Sequence, residues 1–158
     1  TRLCLEALER TPPQGALVAD LGCGSGVLGL AALGLGAEAV VAADTDSLAV
    51  RATADNRGLN DRSEAQLQVA LGSVDRLVEL LRPRKADLLL CNILAPVIEA
   101  LAPGFDGLLK PNGRALLSGL LVDQAPRLKE VLGALGWMVT AEAEQGRWGL
   151  LEIRRQRP

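Results

Sequence analysis

Short apolar runs of strand character alternate with longer stretches whose apolar residues recur at helical spacing, from Gly15 to about residue 135. Strands are expected near 16–20, 39–43, 66–71, 86–91 and 113–120, and helices near 26–35, 46–59, 74–81, 93–102 and 123–135. This alternation needs right-handed crossovers and a parallel sheet covered on both faces. Ahead of it, Thr1 to Glu9 reads as a short helix with Leu3, Ala7 and Leu8 inward, ended by Thr11-Pro12-Pro13. After Gly136 the pattern changes, and Trp137 to Glu144 and Arg147 to Arg154, separated by Gln145-Gly146, read as a closing antiparallel hairpin. The predicted class is α/β, a doubly wound, mostly parallel sheet with a C-terminal hairpin. Pro103-Gly104 is expected to interrupt a helix, Pro111-Asn112-Gly113 to turn into the fifth strand, and Arg154 to Arg157 to form a frayed, solvated tail.

The stretch from Leu17 to Gly29 places Gly22, Gly24 and Gly26 on the turn between the first strand and the next helix. Glycines there let backbone approach a ligand, and the N–H groups of the helix start point at it. Gly24-Ser25-Gly26-Val27-Leu28-Gly29 satisfies Gly-x-Gly-x-x-Gly, and Asp44 follows Gly24 by 20 residues, about where an acid meets a ribose. Taken alone, this fits a nicotinamide cofactor. Asp20, two residues before the first glycine, argues otherwise, because it opposes a pyrophosphate and suits an ammonium group. S-adenosylmethionine has a ribose for Asp44, an amino-acid end for the glycine turn, and no phosphate. Plainer roles compete: a tight strand-to-helix turn for the glycines, and a helix cap for Asp44. Asp46 and Ser47 are better placed for that cap, since Leu48, Ala52 and Leu59 continue a helical stripe.

A second constellation ends the fourth strand, Asp87-Leu-Leu-Leu-Cys-Asn92-Ile-Leu-Ala95-Pro. In open α/β sheets the ligand crevice lies beyond the carboxyl ends of the strands where strand order reverses, and the first and fourth strands flank that point. Asn92 would project beside the glycine turn, where a neutral amide can accept a hydrogen bond from an amine without placing charge near a sulfonium. It could equally cap the helix that begins at Ile93.

With 158 residues the chain is read as one domain, residues 1–158. Hydrophobic residues make up 49% and the net charge is −2, which gives no sign of disorder or of a nucleic-acid surface. Phe105, Trp137 and Trp148 are the whole aromatic set, too few for a base-stacking platform. The absence of His excludes Ser-His-Asp, Cys-His and His-ligated metal chemistry, so no metal is expected. Cys4, Cys23 and Cys91 are odd in number and lack Cys-x-x-Cys spacing, which favours reduced thiols and a cytoplasmic setting. No segment reads as a membrane span or signal peptide, and a monomer is expected. The chain opens on Thr rather than Met, which suggests a fragment of a longer protein.

Leu3-Cys4-Leu5-Glu6, Asp20-Leu-Gly-Cys-Gly-Ser-Gly26, Ala32-Leu-Gly-Leu-Gly-Ala37, Asp44-Thr-Asp46 with Leu48-Ala49-Val50, Asn92-Ile-Leu-Ala95, and Leu117-Ser-Gly-Leu-Leu121 with Gln124 run in order over nearly the whole chain. They resemble the ribosomal protein L-eleven methyltransferases (PrmA family), within the class I S-adenosylmethionine-dependent methyltransferases. The glycine block marks only the class; Asn-Ile-Leu-Ala followed by Leu-Ser-Gly is similar to this family in particular. The resemblance implies a seven-stranded Rossmann-like methyltransferase sheet and a methyl donor across the first, second and fourth strand ends. It also implies methylation of lysine side chains and the α-amine of a large-subunit ribosomal protein. Carried over by position, Gly22 would touch the donor's amino-acid end, Asp44 its ribose hydroxyls, and Asn92 the place where methyl group and amine meet. Gly24 belongs to the same donor-binding turn, and Thr1 matches the last residue of a Thr-Thr loop that closes over the donor. The family's N-terminal substrate-recognition domain and most of that loop have no counterpart in these residues. The alternatives are a class I methyltransferase of another substrate, a nicotinamide-dependent oxidoreductase, and a non-catalytic donor-binding fragment. Asn92-Ile-Leu-Ala95 differs from the Asn-Pro-Pro-Tyr of glutamine- and adenine-methylating relatives.

Overall fold

The computed structural model describes residues 1–156. Helix α1 (Arg2–Arg10) precedes the alternating units β1 (Leu17–Leu21), α2 (Val27–Gly34), β2 (Ala39–Asp44), α3 (Ser47–Leu59), β3 (Leu67–Leu71), α4 (Val74–Leu81) and β4 (Ala86–Asn92). Then come α5 (Ala95–Leu101), a 3₁₀ turn, α6 (Phe105–Leu108), β5 (Leu109–Leu121), a second 3₁₀ turn, α7 (Ala125–Ala134), β6 (Trp137–Gln145) and β7 (Trp148–Arg155). Among the described residues the strands form one seven-stranded sheet in the order β3-β2-β1-β4-β5-β7-β6. The first five are parallel, and β7 lies antiparallel between β5 and β6. Strand order reverses between β1 and β4, so the crevice opens above their carboxyl ends.

The sheet holds its helices because successive strand residues face opposite sides. Leu88 and Leu90 point into one apolar cluster with Val18, Leu116 and the inner faces of α1 and α2. Leu89 and Cys91 point into the other, with Ala19, Leu117 and residues of α4 to α7 that include Leu77, Ile98, Phe105 and Leu128. Phe105 and Leu8 are fully buried. Burying a side chain of this size contributes about 1.5–3 kcal/mol, which explains why strands this rich in Leu and Val sit at the centre. Among the described residues no helix is long and apolar enough to cross a membrane.

Two expectations need correction, and a third holds. The fifth strand starts at Leu109, and Pro111-Asn112-Gly113 is a bulge inside it, because the partner of Leu109 is Ala86 while that of Arg114 is Leu88. Pro103-Gly104 interrupts the helix as expected, and one further turn, α6, follows it and carries Phe105 into the core. Arg154 and Arg155 belong to β7 rather than to a frayed tail, and Arg157 lies outside the described residues. The Arg155 guanidinium lies 4.6 Å from the centre of the Trp137 ring and also meets Asp106. Its fixed position has a local cause, then, in one indole and one carboxylate.

Arg114 ties α1 to the sheet. It is 7% exposed and donates to Glu152 at 3.2 Å and to the Thr11 carbonyl at 2.7 Å. Arg114→Ala leaves that carbonyl and a mostly buried carboxylate without their donor, so it is expected to destabilise the fold by about 2–3 kcal/mol. Urea unfolding of the two proteins checks this; an unchanged midpoint would show that the contact adds nothing.

Candidate active site at the carboxyl ends of β1, β2 and β4

The glycine turn is held from two sides. The amides of Gly22 and Cys23 both donate to the Ala43 carbonyl, at 2.9 and 3.1 Å, so the end of β2 fixes the start of the turn. Asp44 then takes the Gly24 amide on one carboxylate oxygen and the Asp46 amide on the other, both at 2.9 Å. From above, Thr53 on α3 donates to the Gly24 carbonyl at 2.9 Å, and Asn56 donates to the Ser25 carbonyl at 2.8 Å. Asp46 caps α3 through the Leu48 amide at 2.9 Å, as its position in the sequence predicts. Asp44 is thus free of the capping role and bonded to the turn, with lone pairs left on both oxygens.

Gly22 has φ of 73°, and a Cβ placed there would lie 2.5 Å from Ile93 Cγ2. Gly119, at φ of 83°, is pressed as closely from the other side: its Cβ would fall 2.5 Å from the Ile93 carbonyl oxygen. Ile93 therefore fills the space between the ends of β1 and β5, and its amide donates to the Ser118 carbonyl at 3.1 Å. Both neighbours must be glycine for the strand ends to come this close.

Two cavities flank Ile93. The larger, about 630 Å³, has Thr1, Asn92, Ser118, Gln145 and Trp148 in its wall. The smaller, about 140 Å³, is lined by Gly22, Asp44, Gly72 and Ser73 among others. Ile93 and Val97 line both, so one elongated ligand can run from Asp44 to Asn92 only by passing over them. Asn92 ends β4 opposite Ser118 and donates to the Thr1 hydroxyl at 3.2 Å. Its capping alternative does not hold, because the residue before α5 is Leu94 and no side chain caps that helix. Of the residues expected at the site, Thr1 and Asn92 line one cavity and Gly22 and Asp44 the other. Gly24 lines neither and meets the site through its amide bond to Asp44.

Asp20 differs from its expectation more sharply. It lines neither cavity; its carboxylate turns under the turn toward α2, where it is 2% exposed. Burial pushes its pKa up to about 7, with the Gly29 amide opposing the shift and Asp44 adding to it. Asp87, at the other end of β4, is structural: it accepts from the Leu17 amide at 2.9 Å and from Lys110 at 2.6 Å. The thiols are inert. Burial raises Cys23 to about 12, although Thr53 bonds it, raises Cys4 to about 11, and pushes Cys91 up as well. Among the described residues no cluster of His, Cys, Asp and Glu could hold a metal ion.

Pattern reading missed Ile93 and Val97 as dividers and Trp148 as a wall. Trp148, 52% exposed beside the Gln145-Gly146 turn, carried one usable signal: a tryptophan at a hairpin turn has little else to bury it. The donor set suits an organic cation that carries hydroxyls: a carboxylate with free lone pairs, a neutral amide and apolar dividers. The turn presents no lysine or arginine for a phosphate.

The family model described as Ribosomal protein L11 methyltransferase (PrmA) matches residues 1–156. The chain is 78% identical over 156 residues to the Ribosomal protein L11 methyltransferase of Parasynechococcus marenigrum (strain WH8102), covering 99% of the chain and 54% of that protein. It is 65% identical over 155 residues to that of Synechococcus sp. (strain RCC307), covering 98% of the chain and 51% of that protein. Among solved structures, ribosomal protein L11 methylase from Lactobacillus delbrueckii subsp. bulgaricus superimposes with a TM-score of 0.88 at 31% identity, over 99% of this chain and 78% of that one. The chain spans about half the length of the curated relatives it matches.

The contact at Gly22 makes a separable expectation. Gly22→Ala should destabilise the fold by roughly 1–3 kcal/mol, from the positive φ and the clash with Ile93. Adding Ile93→Ala should return about 1 kcal/mol of that loss, read as the coupling in a double-mutant cycle of urea unfolding. Strictly additive losses would show that Ile93 is not what excludes the side chain.

Proposed function

The chain belongs to the Ribosomal protein L11 methyltransferase (PrmA) family, and from that premise we propose that residues 1–158 form a single S-adenosylmethionine-dependent methyltransferase domain. Its acceptors are lysine side-chain and α-amino nitrogens of a large-subunit ribosomal protein, methylated in the cytoplasm. The observation that carries this reading is the pair of adjoining cavities: Asp44 and Gly22 line one, Asn92 and Thr1 line the other, and Ile93 and Val97 line both.

When bound, the donor supplies an electrophilic methyl group on a sulfonium. The chain's own groups hold and align. Asp44 accepts from the ribose hydroxyls with the lone pairs left over from the Gly24 and Asp46 amides. Gly22, with no side chain, lets the donor's amino-acid end lie against the backbone. Asn92 accepts a hydrogen bond from the incoming neutral amine through its amide oxygen, while its nitrogen stays bonded to Thr1. A lysine ammonium must lose its proton before it can attack; the Asn92 amide cannot take it, so the proton leaves to solvent and the site would align only the neutral amine with the donor's methyl group. Holding nucleophile and carbon about 3 Å apart and in line can supply roughly 7–11 kcal/mol of the barrier, which is why the site needs geometry more than a base.

Two substitutions test the assignment. Asp44→Ala should weaken S-adenosylmethionine binding by roughly 1.5–3 kcal/mol in calorimetric titration, with unfolding followed in parallel because the turn also loses its acceptor. Unchanged affinity would leave Asp44 a purely structural residue. Asn92→Ala should lower the methylation rate of a lysine-containing substrate far more than it lowers donor affinity. If rate and affinity fall by equal factors, Asn92 holds the donor and does not place the amine.

A further inference from the structure

Among the described residues, Asp20 Oδ2 is the one buried side-chain oxygen without a hydrogen-bond partner. The carboxylate ends in an apolar enclosure. A Cβ built on Gly29 would lie 3.3 Å from Oδ2, and the same point lies 3.0 Å from Val40 and 3.4 Å from Leu67. The groups that act on it are the Gly29 amide on α2, which favours its charge, and Asp44 on β2, which opposes it. The thiols it influences, Cys4 on α1, Cys23 in the turn and Cys91 on β4, are all uncharged. None of these is a cation, and burial of a carboxylate with neither a cation nor a full set of donors favours the neutral acid.

Asp20 lies on β1 one residue before its end, close enough to couple electrostatically with Asp44 and with Cys23 of the turn on which the proposed donor rests. We infer that Asp20 is a proton-linked counter-charge for that donor: burial favours its neutral acid, and it releases its proton to solvent when a net-positive molecule binds on the turn. The inference rests on the S-adenosylmethionine reading and adds a positioning residue that touches the donor only through the intervening backbone. The pKa raised to about 7 sets the direction. Below that value the proton is retained and must be displaced, so binding weakens as pH falls; above it the carboxylate is already ionised and affinity levels off.

Calorimetric titration of the whole chain with S-adenosylmethionine, in two buffers of different ionisation enthalpy, reads the proton directly. Release of about half a proton near pH 7, and an affinity that rises about tenfold from about pH 5.5 to about pH 7.5, are expected. S-adenosylhomocysteine, which keeps the ammonium and lacks the sulfonium, should show a smaller release. Asp20→Asn, an isostere of the neutral acid, should bind with a flat pH profile and release nothing; if it does not fold, the wild-type release decides alone. Tight binding with no proton release and no pH dependence overturns the inference while leaving the donor intact. Failure of S-adenosylmethionine to bind at any pH overturns the donor reading and this inference with it.

Discussion

The crevice depends on one contact, the seating of Ile93 between two backbone positions that carry no side chain. Gly22 begins the turn after β1 and Gly119 lies in β5, and each approaches Ile93 so closely that a Cβ would overlap it. The three strand ends can therefore converge on a single branched residue. Because Ile93 follows Asn92 directly, fixing one fixes the other, and the amide is held at the mouth of the larger cavity without needing to cap a helix. A site that works by alignment is best built on strand ends locked in this manner, since loop motion would blur the distance on which the rate depends.

The turn itself is locked by a second set of bonds that the ligand does not have to make. Ala43, Asp44, Thr53 and Asn56 satisfy its amides and carbonyls from β2 and α3. Asp44 consequently arrives at the site already oriented by two amides. Orienting a carboxylate beforehand removes part of the entropy that binding would otherwise have to overcome. It also explains why the acid sits at the end of the second strand: from there one side chain can reach both the turn and the start of α3.

Much of this was legible in the chain. The short apolar runs alternating with helical stretches pointed to the parallel sheet, the three glycines to the turn, and Asp46 to the start of α3. What pattern could not show were contacts between residues distant in sequence. Ile93 reads as an ordinary apolar residue until Gly22 and Gly119 are beside it. Trp148 becomes a wall only once β7 inserts between β5 and β6, an order that local pairing of β6 with β7 does not reveal. The bulge at Pro111-Asn112-Gly113 reads as a turn because the residues are the same in both; only the partner strand distinguishes them. Asp20 was the most misleading, since proximity in sequence to the glycines says nothing about whether a carboxylate faces the crevice or the core.

That last point bears on which cofactor the turn accepts. Gly-x-Gly-x-x-Gly is shared by dinucleotide sites, where the pyrophosphate brings negative charge onto the helix start. Here two carboxyl groups flank the turn, Asp44 bonded to it and Asp20 buried beneath it, and the smaller cavity has no arginine or lysine in its wall. A phosphate would meet Asp44 on the turn and hold Asp20 in its neutral form, and no cation in the wall of the smaller cavity would offset either. A cationic donor meets the opposite situation: Asp44 attracts it, and the low-dielectric interior that makes Asp20 costly to ionise also makes it effective once ionised. The same glycine pattern can therefore serve opposite charges, and the acids around the turn choose between them.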